Sequence, residues 1–254
     1  MRLGDGANAA GFSLVSLQSV DSTNRLALDL AVQAGANRTW VISEVQRAGR
    51  GRDGRDWVSP SGNLYASLLL VAPCATADTP KLGFVAGVAL AETVRALLPG
   101  EDIRLKWPND LVVGGAKLAG MLLEGRDIGG GRMAVAIGIG LNIAEAPALP
   151  DRPTTSLAAL GSHSDRREVL RDLSDRMAER LRVFAGGAGF FAIREAWSAL
   201  SLPRGTAMGV RMGGGLVEGR FGGIDGEGRL SLETAAGLVQ ISAGDVFLTG
   251  GQGN

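Results

Sequence analysis

Cysteine and histidine are almost absent from this chain. Its 254 residues include one cysteine, Cys74, and one histidine, His163. A single thiol excludes an internal disulfide framework, and one residue of each kind cannot form a Cys/His zinc cluster. Because His163 lies in a Gly-Ser-His-Ser segment typical of a surface loop, we do not expect histidine-based acid–base chemistry. The composition fits a reducing cytoplasm.

The chain also lacks a net charge and a membrane-length apolar run. Its 26 basic and 26 acidic residues cancel, whereas a general nucleic-acid or membrane-surface binder carries a basic excess. We see no charged-then-apolar leader and no uncharged apolar stretch long enough to span a bilayer. We therefore expect a cytoplasmic protein that binds neither nucleic acid nor membrane, and that recognises anions only locally.

Lysine is scarce as well. Only Lys81, Lys106 and Lys117 occur, against 23 arginines. In a chain that uses arginine almost everywhere, a lysine marks a position that needs a compact, movable ammonium group. Chance placement on a solvated face explains any one lysine equally well. The pair Lys106 and Lys117, in a neighbourhood rich in Gly, Asn and Asp, is harder to explain in that way.

The hydrophobic pattern predicts an α+β chain in two parts. Residues 1–202 alternate between strands and helices, which indicates a strand-rich mixed sheet with helices on one side. The predicted strands are 13–20, 40–45, 63–71, 103–107, 111–113, 117–124 and 133–141, and the predicted helices are 26–34, 82–98, 166–184 and 190–200. Residues 203–254 carry short strands at Val210, 216–219, 221–224, 230–232 and 246–248, separated by glycine turns. That spacing predicts a small all-β barrel.

The segment 46–57, here called the arginine loop, is the most informative stretch. It holds four arginines and three glycines between two strand-like runs, and Trp57 closes it. Glycine lets backbone amides approach a ligand closely, and arginine binds phosphate and carboxylate in two-point geometry. A solvated turn is the plainer explanation. We favour a clamp for an anionic, nucleotide-like ligand, because the glycines permit ordering around one.

Three further clusters could contribute to such a site. They are Ser22-Thr23-Asn24, Lys106-Trp107-Pro108-Asn109-Asp110 and Lys117-Leu118-Ala119-Gly120. Each has an ordinary structural explanation: a helix cap, a proline turn and an edge charge respectively. With histidine chemistry set aside, the remaining chemistry is positioning by fixed positive charge, which is what phosphoryl or nucleotidyl transfer requires.

Taken together and in order, these motifs resemble those of the biotin protein ligases (biotin–[acetyl-CoA-carboxylase] ligases). The similar segments are Asp21-Ser22-Thr23-Asn24, the Gly-Arg-Gly-Arg-x-Gly-Arg-x-Trp pattern of the arginine loop, Lys106 to Asp110, Lys117 to Glu124, and Gly138-Ile139-Gly140-Leu141-Asn142. They cover residues 13–160, and the β-rich remainder resembles the SH3-like carboxy-terminal domain of that family. The resemblance implies a class II synthetase-like catalytic domain over 1–202 and an SH3-like domain over 203–254.

The resemblance also implies a reaction and roles for individual residues. Biotin and Mg-ATP give biotinyl-5′-adenylate and pyrophosphate, and the adenylate then acylates one lysine of a biotin carboxyl carrier domain, such as that of acetyl-CoA carboxylase. The implied biotin-binding residues are Ser22, Thr23, Asn24, Gln46, Arg50, Gly51, Arg52, Lys117 and Gly120. The implied ATP-binding residues are Arg55, Trp57, Lys106, Asn109, Asp110 and Asn142. Lys117 and Arg52 are the implied catalytic cations, and Asp110 is an implied Mg²⁺ ligand.

The chain departs from the family pattern in two respects. Some relatives carry an amino-terminal helix-turn-helix, for which the few residues before the first strand leave no room, so we expect a short form without DNA binding. Asp53 and Asp56 occupy loop positions that are often basic in the family. Two alternatives stay open: a lipoate-type ligase and a non-catalytic binding module. A homodimer through an exposed sheet edge is compatible with the sequence but not required by it.

Overall fold

Seven strands form a mixed sheet in the first part of the chain. The computed structural model describes residues 1–150, 152–213 and 215–249. The strands are β1 (Ser13–Val20), β2 (Thr39–Gln46), β3 (Leu64–Val71), β4 (Ile103–Lys106), β5 (Asp110–Val113), β6 (Ala116–Asp127) and β7 (Met133–Leu141). Their order across the sheet is β1-β2-β3-β7-β6-β5-β4, with β1 and β2 parallel and the other neighbours antiparallel.

Five helices accompany this sheet: α1 (Asp5–Ala9), α2 (Thr23–Gln33), α3 (Leu82–Leu97), α4 (Arg166–Phe184) and α5 (Phe190–Leu200). Local signals define their starts. Ser22 Oγ accepts a hydrogen bond from Arg25 N at the start of α2. At the start of α4, Asp165 and Glu168 form a reciprocal capping box, which satisfies amides that the first helical turn leaves unpaired. Helix α1 was not predicted from the sequence.

The helices cover both faces of the sheet, so the expectation of helices on one side was wrong. Helix α3 lies in the main core with α4 and α5, whereas α2 packs on the opposite face. There Ala27 and Leu28 of α2 contact a small cluster that includes Val41 and Leu69. Strands β2 and β3 are apolar at successive positions because they are covered on both faces. The α2 face is also the face that carries the candidate site.

A second sheet follows, with five antiparallel strands in the order β11-β10-β9-β8-β12. The strands are β8 (Ala207–Met212), β9 (Gly215–Ile224), β10 (Leu230–Thr234), β11 (Gly237–Ile241) and β12 (Asp245–Leu248). Together the two sheets confirm the predicted α+β class with a carboxy-terminal all-β part. Residues 250–254 lie outside the described residues. The boundary near Leu202 and the SH3-like character of this sheet stay predictions.

Two details of the second sheet differ from the sequence prediction. The segments 216–219 and 221–224 are one strand, β9, and β11 was not predicted. At Gly219 a Cβ atom would lie 2.5 Å from the carbonyl oxygen of Glu233. Glycine at this position in β9 therefore allows a close backbone approach within the strand. Within the described residues, no helix combines the length and apolarity needed to cross a bilayer.

Candidate active site

One pocket gathers the residues singled out from the sequence. It lies on the α2 face of the mixed sheet, where the start of α2, the arginine loop and strands β5 to β7 meet. All of the predicted biotin- and ATP-binding residues line it, namely Ser22, Thr23, Asn24, Gln46, Arg50, Gly51, Arg52, Arg55, Trp57, Lys106, Asn109, Asp110, Lys117, Gly120 and Asn142. Their individual roles stay predictions.

A hydrogen-bonded polar network forms one end of the pocket. Gln46 Oε1 accepts from both the backbone amide and the hydroxyl of Thr23, at 2.9 and 3.0 Å. The hydroxyl of Ser67 lies 2.7 Å from Thr23 Oγ1 and 2.6 Å from Asn24 Oδ1. Ser67 is fully buried in the middle of β3, so the network continues into the sheet.

This network has a fixed polarity. The backbone amide of Thr23 can only donate, which orients Gln46 with its oxygen toward Thr23. Asn24 Nδ2 donates to the Leu122 carbonyl oxygen at 3.1 Å, which leaves Asn24 Oδ1 as an acceptor. Ser67 has a single hydrogen for two oxygens, so accepting capacity remains on Thr23 and Asn24. This end of the pocket therefore suits a ligand with N–H donors.

Strand pairing explains why these side chains meet. Ser67 pairs with Gly138 across β3 and β7, and Gly138 pairs with Leu122 across β7 and β6. A Cβ atom at Gly138 would lie 2.5 Å from Asn24 Oδ1. Glycine at this position therefore makes room for the Asn24 amide on the sheet surface.

Glycines also form the floor beneath Trp57. Asp110, Gly120 and Gly140 are successive partners across β5, β6 and β7. A Cβ atom would lie 2.9 Å from the Trp57 ring at Gly120 and 2.4 Å from it at Gly140. The indole thus packs directly on the backbone, and its buried Nε1 has no hydrogen-bond partner in the described part of the chain. The ring forms a flat apolar wall above the sheet.

We predict that Gly140→Ala raises the KM for ATP by on the order of tenfold, because the new methyl group overlaps the Trp57 ring. Overpacking of this kind costs about 1–3 kcal/mol. The control is Gly125→Ala, whose Cβ would approach the flexible Met133 sulfur at 3.2 Å. Steady-state pyrophosphate release against ATP concentration measures both variants. An unchanged KM for Gly140→Ala would show that Trp57 does not shape the nucleotide site.

Positive charges surround a buried carboxylate at the other end of the pocket. Lys117 Nζ lies 2.6 Å from Asp110 Oδ1, and Lys106 Nζ lies 3.2 Å from Asp110 Oδ2. Arg152 approaches the same carboxylate at 3.8 Å. The Lys117 ammonium also lies 5.3 Å from the centre of the Trp57 ring. Lys117 is held at its backbone by hydrogen bonds to Pro153 and from Thr155.

The environment shifts the pKa values of this cluster in defined directions. Burial by itself would raise the pKa of Asp110, but the ammonium groups of Lys117 and Lys106 outweigh burial and hold that pKa below its ordinary value. Burial lowers the pKa of Lys106, against the opposing attraction of Asp110. Asp110 is therefore a carboxylate at neutral pH, and it carries the negative charge that keeps two lysines close together.

Strand β12 of the second sheet contacts the same cationic end. The carbonyl oxygen of Gly244 accepts from Arg52 at 3.2 Å, and that of Val246 accepts from Lys106 at 2.9 Å. Between them, the Asp245 carboxylate pairs with Arg55. Three consecutive residues, Gly244 and the first two of β12, thus contact three different cations of the pocket. None of the sequence motifs indicated this contact.

Asn109 and Asn142 have structural partners. Asn109 Nδ2 donates to the Met121 carbonyl oxygen at 2.6 Å, and Asn142 Nδ2 donates to that of Thr155 at 3.1 Å. Both side chains fix the backbone around the pocket that they line. A direct contact of either with ATP stays a prediction.

The predicted magnesium ligand does not fit a protein-held metal. Both oxygens of Asp110 face ammonium groups. Within residues 1–150, 152–213 and 215–249, no three Asp, Glu, His or Cys side chains converge as metal ligands. Mg²⁺ commonly enters nucleotide sites bound mainly to phosphate and water. We therefore expect Mg²⁺ only as part of the Mg-ATP substrate.

Ser67 and Glu124, which contact residues of the pocket, had no role assigned from the sequence. Ser67 is the one polar residue between Leu64 and Val71, and this interruption of an apolar strand could have indicated it. Glu124 ends the motif that begins at Lys117, and its carboxylate contacts Asn24 and Arg50. A charged residue at the end of an apolar strand does not predict these contacts, because Asn24 and Arg50 are 100 and 74 positions away in the sequence.

Comparison with known proteins identifies the class to which this fold and pocket belong. Residues 16–142 match the Biotin/lipoate A/B protein ligase family, and residues 209–249 match the Biotin protein ligase C terminal domain. The biotin–[acetyl-CoA-carboxylase] ligase of Paracoccus denitrificans is 38% identical over 240 residues, which cover 92% of this chain and all of that protein. The chain belongs to the biotin protein ligase family.

Solved structures agree with this assignment. The biotin protein ligase of Aquifex aeolicus in complex with biotin and ATP superposes with a TM-score of 0.78 at 28% identity, covering 93% of this chain and 99% of that one. The Leishmania major biotin protein ligase in complex with biotinyl-5-AMP gives a TM-score of 0.64 at 25% identity, covering 91% and 99% respectively.

Proposed function

We propose that this chain activates biotin with ATP and transfers it to a carrier protein. The biotin carboxylate attacks the α-phosphorus of ATP, the bond between the α-phosphorus and the bridging oxygen breaks, and pyrophosphate leaves. The neutral amine of a carrier lysine then attacks the acyl carbon of biotinyl-5′-adenylate. An amide forms, AMP leaves, and the amine proton passes to solvent. The enzyme is thus an acyl-adenylate-forming ligase.

The observation that carries this proposal is a single pocket with two chemically different ends. Acceptors on Thr23 and Asn24 at one end match the two N–H groups of the biotin ureido ring, and the hydroxyl of Ser22, which also lines the pocket, would donate to its carbonyl oxygen. Lys117 and Arg52 lie at the other end. There they oppose the repulsion between carboxylate and ATP and the charge that develops on the α-phosphate. Trp57 would cover the adenine.

The polarity of the network favours biotin over lipoate. The dithiolane ring of lipoate has no N–H group, so the accepting oxygens of Thr23 and Asn24 would be buried without donors. Sites built to hydrogen-bond a substrate reject analogues that lack the matching group far more strongly than apolar pockets reject a change in size. Lipoate should therefore support little adenylate formation.

The carrier is the biotin carboxyl carrier domain of acetyl-CoA carboxylase or a related carboxylase. This extends to the chain what the name of the Paracoccus relative says of that protein. Mg²⁺ accompanies ATP as substrate. A cytoplasmic location, a homodimer and the lack of nucleic-acid binding stay predictions from the sequence.

Incubation with biotin, Mg-ATP and an isolated biotin carboxyl carrier domain tests the function. We expect pyrophosphate release that depends on biotin, and one biotinyl group on a single carrier lysine by mass spectrometry. Replacing biotin with lipoate should abolish both signals. Absence of biotin-dependent pyrophosphate release would favour the non-catalytic alternative.

We further predict that Ser67→Ala weakens biotin binding by about tenfold or more, because it removes the hydroxyl that links Thr23 and Asn24. Leaving buried acceptors unsatisfied costs about 1–3 kcal/mol. Ser174→Ala is the matched control, since Ser174 is also fully buried and hydrogen-bonded, but to Gly4 and Arg171. Isothermal titration with biotin measures both. Equal losses of affinity in the two variants would contradict a specific role for Ser67.

A further inference from the structure

Glu124 lies behind the pocket wall and contacts two residues that line it. Its Oε2 accepts from Asn24 Nδ2 at 2.8 Å. Arg50 NH2 lies 2.9 Å from Oε1 and 3.2 Å from Oε2. Asn24 belongs to the polar end of the pocket, whereas Arg50 belongs to the arginine loop. One carboxylate therefore joins the sheet, the start of α2 and the loop.

The contact with Asn24 determines what Asn24 offers to a ligand. Both hydrogens of the Asn24 amide are used, one toward Leu122 O and one toward Glu124 Oε2. An ionised carboxylate only accepts hydrogen bonds, and such charge-assisted bonds are stronger than neutral ones. Turning the amide over would place its oxygen against the carboxylate and its NH₂ group toward the pocket. Glu124 thus fixes Asn24 Oδ1 as an acceptor.

The contact with Arg50 positions the arginine loop. Arg50 is half-exposed, and Glu124 is 24% exposed in its side chain. Arg50 lies within the loop, between Gln46 and Trp57. The Glu124 carboxylate thus holds this part of the loop to the sheet. The same carboxylate orients Asn24, so a change in the Asn24 amide also disturbs the anchor of the loop.

We propose that Glu124 is a positioning residue that couples recognition of the ureido ring to the placement of the arginine loop over the pocket. The inference rests on the proposed function of the pocket. Biotin that satisfies Asn24 stabilises the Asn24–Glu124 contact, and Glu124 in turn holds Arg50 over the bound acyl group. Loss of Glu124 therefore weakens selection for the ureido N–H groups and lets the adenylate escape before transfer.

Glutamine at this position separates the two tasks. A carboxylate can accept from Asn24 and Arg50 at once, but an amide has only one oxygen. Asn24 is buried, so losing the hydrogen bond to Asn24 costs more free energy than losing the one to Arg50, whose side chain can hydrogen-bond to water instead. In Glu124→Gln the oxygen should therefore face Asn24, and Arg50 is released. Glu124→Ala loses both contacts.

Two measurements on the full chain test the proposal. The first is the Kd for biotin and for biotin methylated on a ureido nitrogen, without ATP. The second is the escape of adenylate, trapped as biotinyl hydroxamate with hydroxylamine. Glu124→Ala should weaken biotin binding about ten- to hundredfold, reduce the preference for biotin over the methylated analogue, and increase hydroxamate formation. Glu124→Gln should keep the biotin Kd within about threefold of wild type but increase hydroxamate formation.

Glu92 provides a matched control, since its side chain is 22% exposed and pairs with Arg180 between α3 and α4. Glu92→Ala and Glu92→Gln should leave both measurements unchanged. Equal weakening of biotin and the methylated analogue in Glu124→Ala would overturn the proposal, as would wild-type retention of adenylate in Glu124→Gln. Should Glu124→Ala fail to fold, adenylate escape from Glu124→Gln alone tests the proposal. If wild-type protein neither binds biotin nor releases pyrophosphate, the proposed function fails first.

Discussion

Replacing Lys117 with alanine should slow biotinyl-adenylate formation by at least about a hundredfold. Removing one fixed donor that stabilises developing charge typically costs about 3–4 kcal/mol of transition-state stabilisation. Lys117 Nζ is held between Asp110 and the Trp57 ring, in the cationic end of the pocket. Its backbone is fixed on both sides by hydrogen bonds. The ammonium is therefore held by contacts of the protein itself, and electrostatic stabilisation is most effective when donors are fixed in this way.

Biotin-dependent pyrophosphate exchange measures the step directly. Lys81→Ala is the control, because Lys81 pairs with Asp78 and Glu227 and does not line the pocket. Biotin transfer from added biotinyl-5′-adenylate should fall much less than exchange, since the α-phosphate has already reacted. Arg52→Ala should act at the same step with a loss of similar size. Wild-type rates of pyrophosphate exchange in both Lys117→Ala and Arg52→Ala would contradict the cationic mechanism.

Asp110→Asn should lower the free energy of unfolding by about 3–5 kcal/mol. Removing one partner of a buried ion pair leaves the other charge without compensation. Asp110 is 5% exposed, and Lys106, which depends on it, is also buried. The amide keeps the shape of the carboxylate but not its charge. Urea unfolding at neutral pH measures the loss, and Asp172→Asn is the control because Asp172 pairs with Arg176 in a more exposed position.

The pH dependence has a defined sign. The pKa of Asp110 is depressed in the folded protein, so its stabilisation is present above the unfolded pKa of about 3.9 and is lost as pH falls through the folded value. Without Asp110, the pKa of buried Lys106 should fall further. Between that lowered folded pKa and the unfolded lysine pKa of about 10.4, the unfolded state binds more protons than the folded state, so stability rises with pH in this window. The deficit of Asp110→Asn should therefore shrink as pH is raised, and a deficit independent of pH would contradict the buried-charge explanation.

Much of the pocket could be predicted because its residues lie in short motifs at strand ends. The segment from Lys106 to Asp110 leads from β4 into β5, and β5 pairs with β6, which carries Lys117. The predicted hairpin of 111–113 and 117–124 therefore already brings Asp110 close to the segment that begins at Lys117. The arginine loop connects two predicted strands. Local sequence and family resemblance together were sufficient for these elements.

Features that depend on long-range register could not be predicted. Ser67 reaches Asn24 because β3 pairs with β7 and β7 with β6 in one particular register. The side on which α2 packs was also missed, since strands buried on both faces show no alternation. The contacts of Gly244 to Val246 arise from the placement of the second sheet, which no local periodicity encodes.

The second sheet contributes contacts to the cationic end of the pocket through Gly244 and the start of β12. Arg52 and Lys106 donate to carbonyl oxygens of the segment 244–246, and Arg55 pairs with the Asp245 carboxylate. A bound triphosphate would thus meet cations that the carboxy-terminal sheet already holds. Arg55, a predicted ATP-binding residue, would have to exchange its Asp245 partner for the nucleotide, so ATP would compete with a group of the protein itself. The affinity for ATP can consequently be tuned by substitutions at Asp245 that leave every catalytic side chain in place.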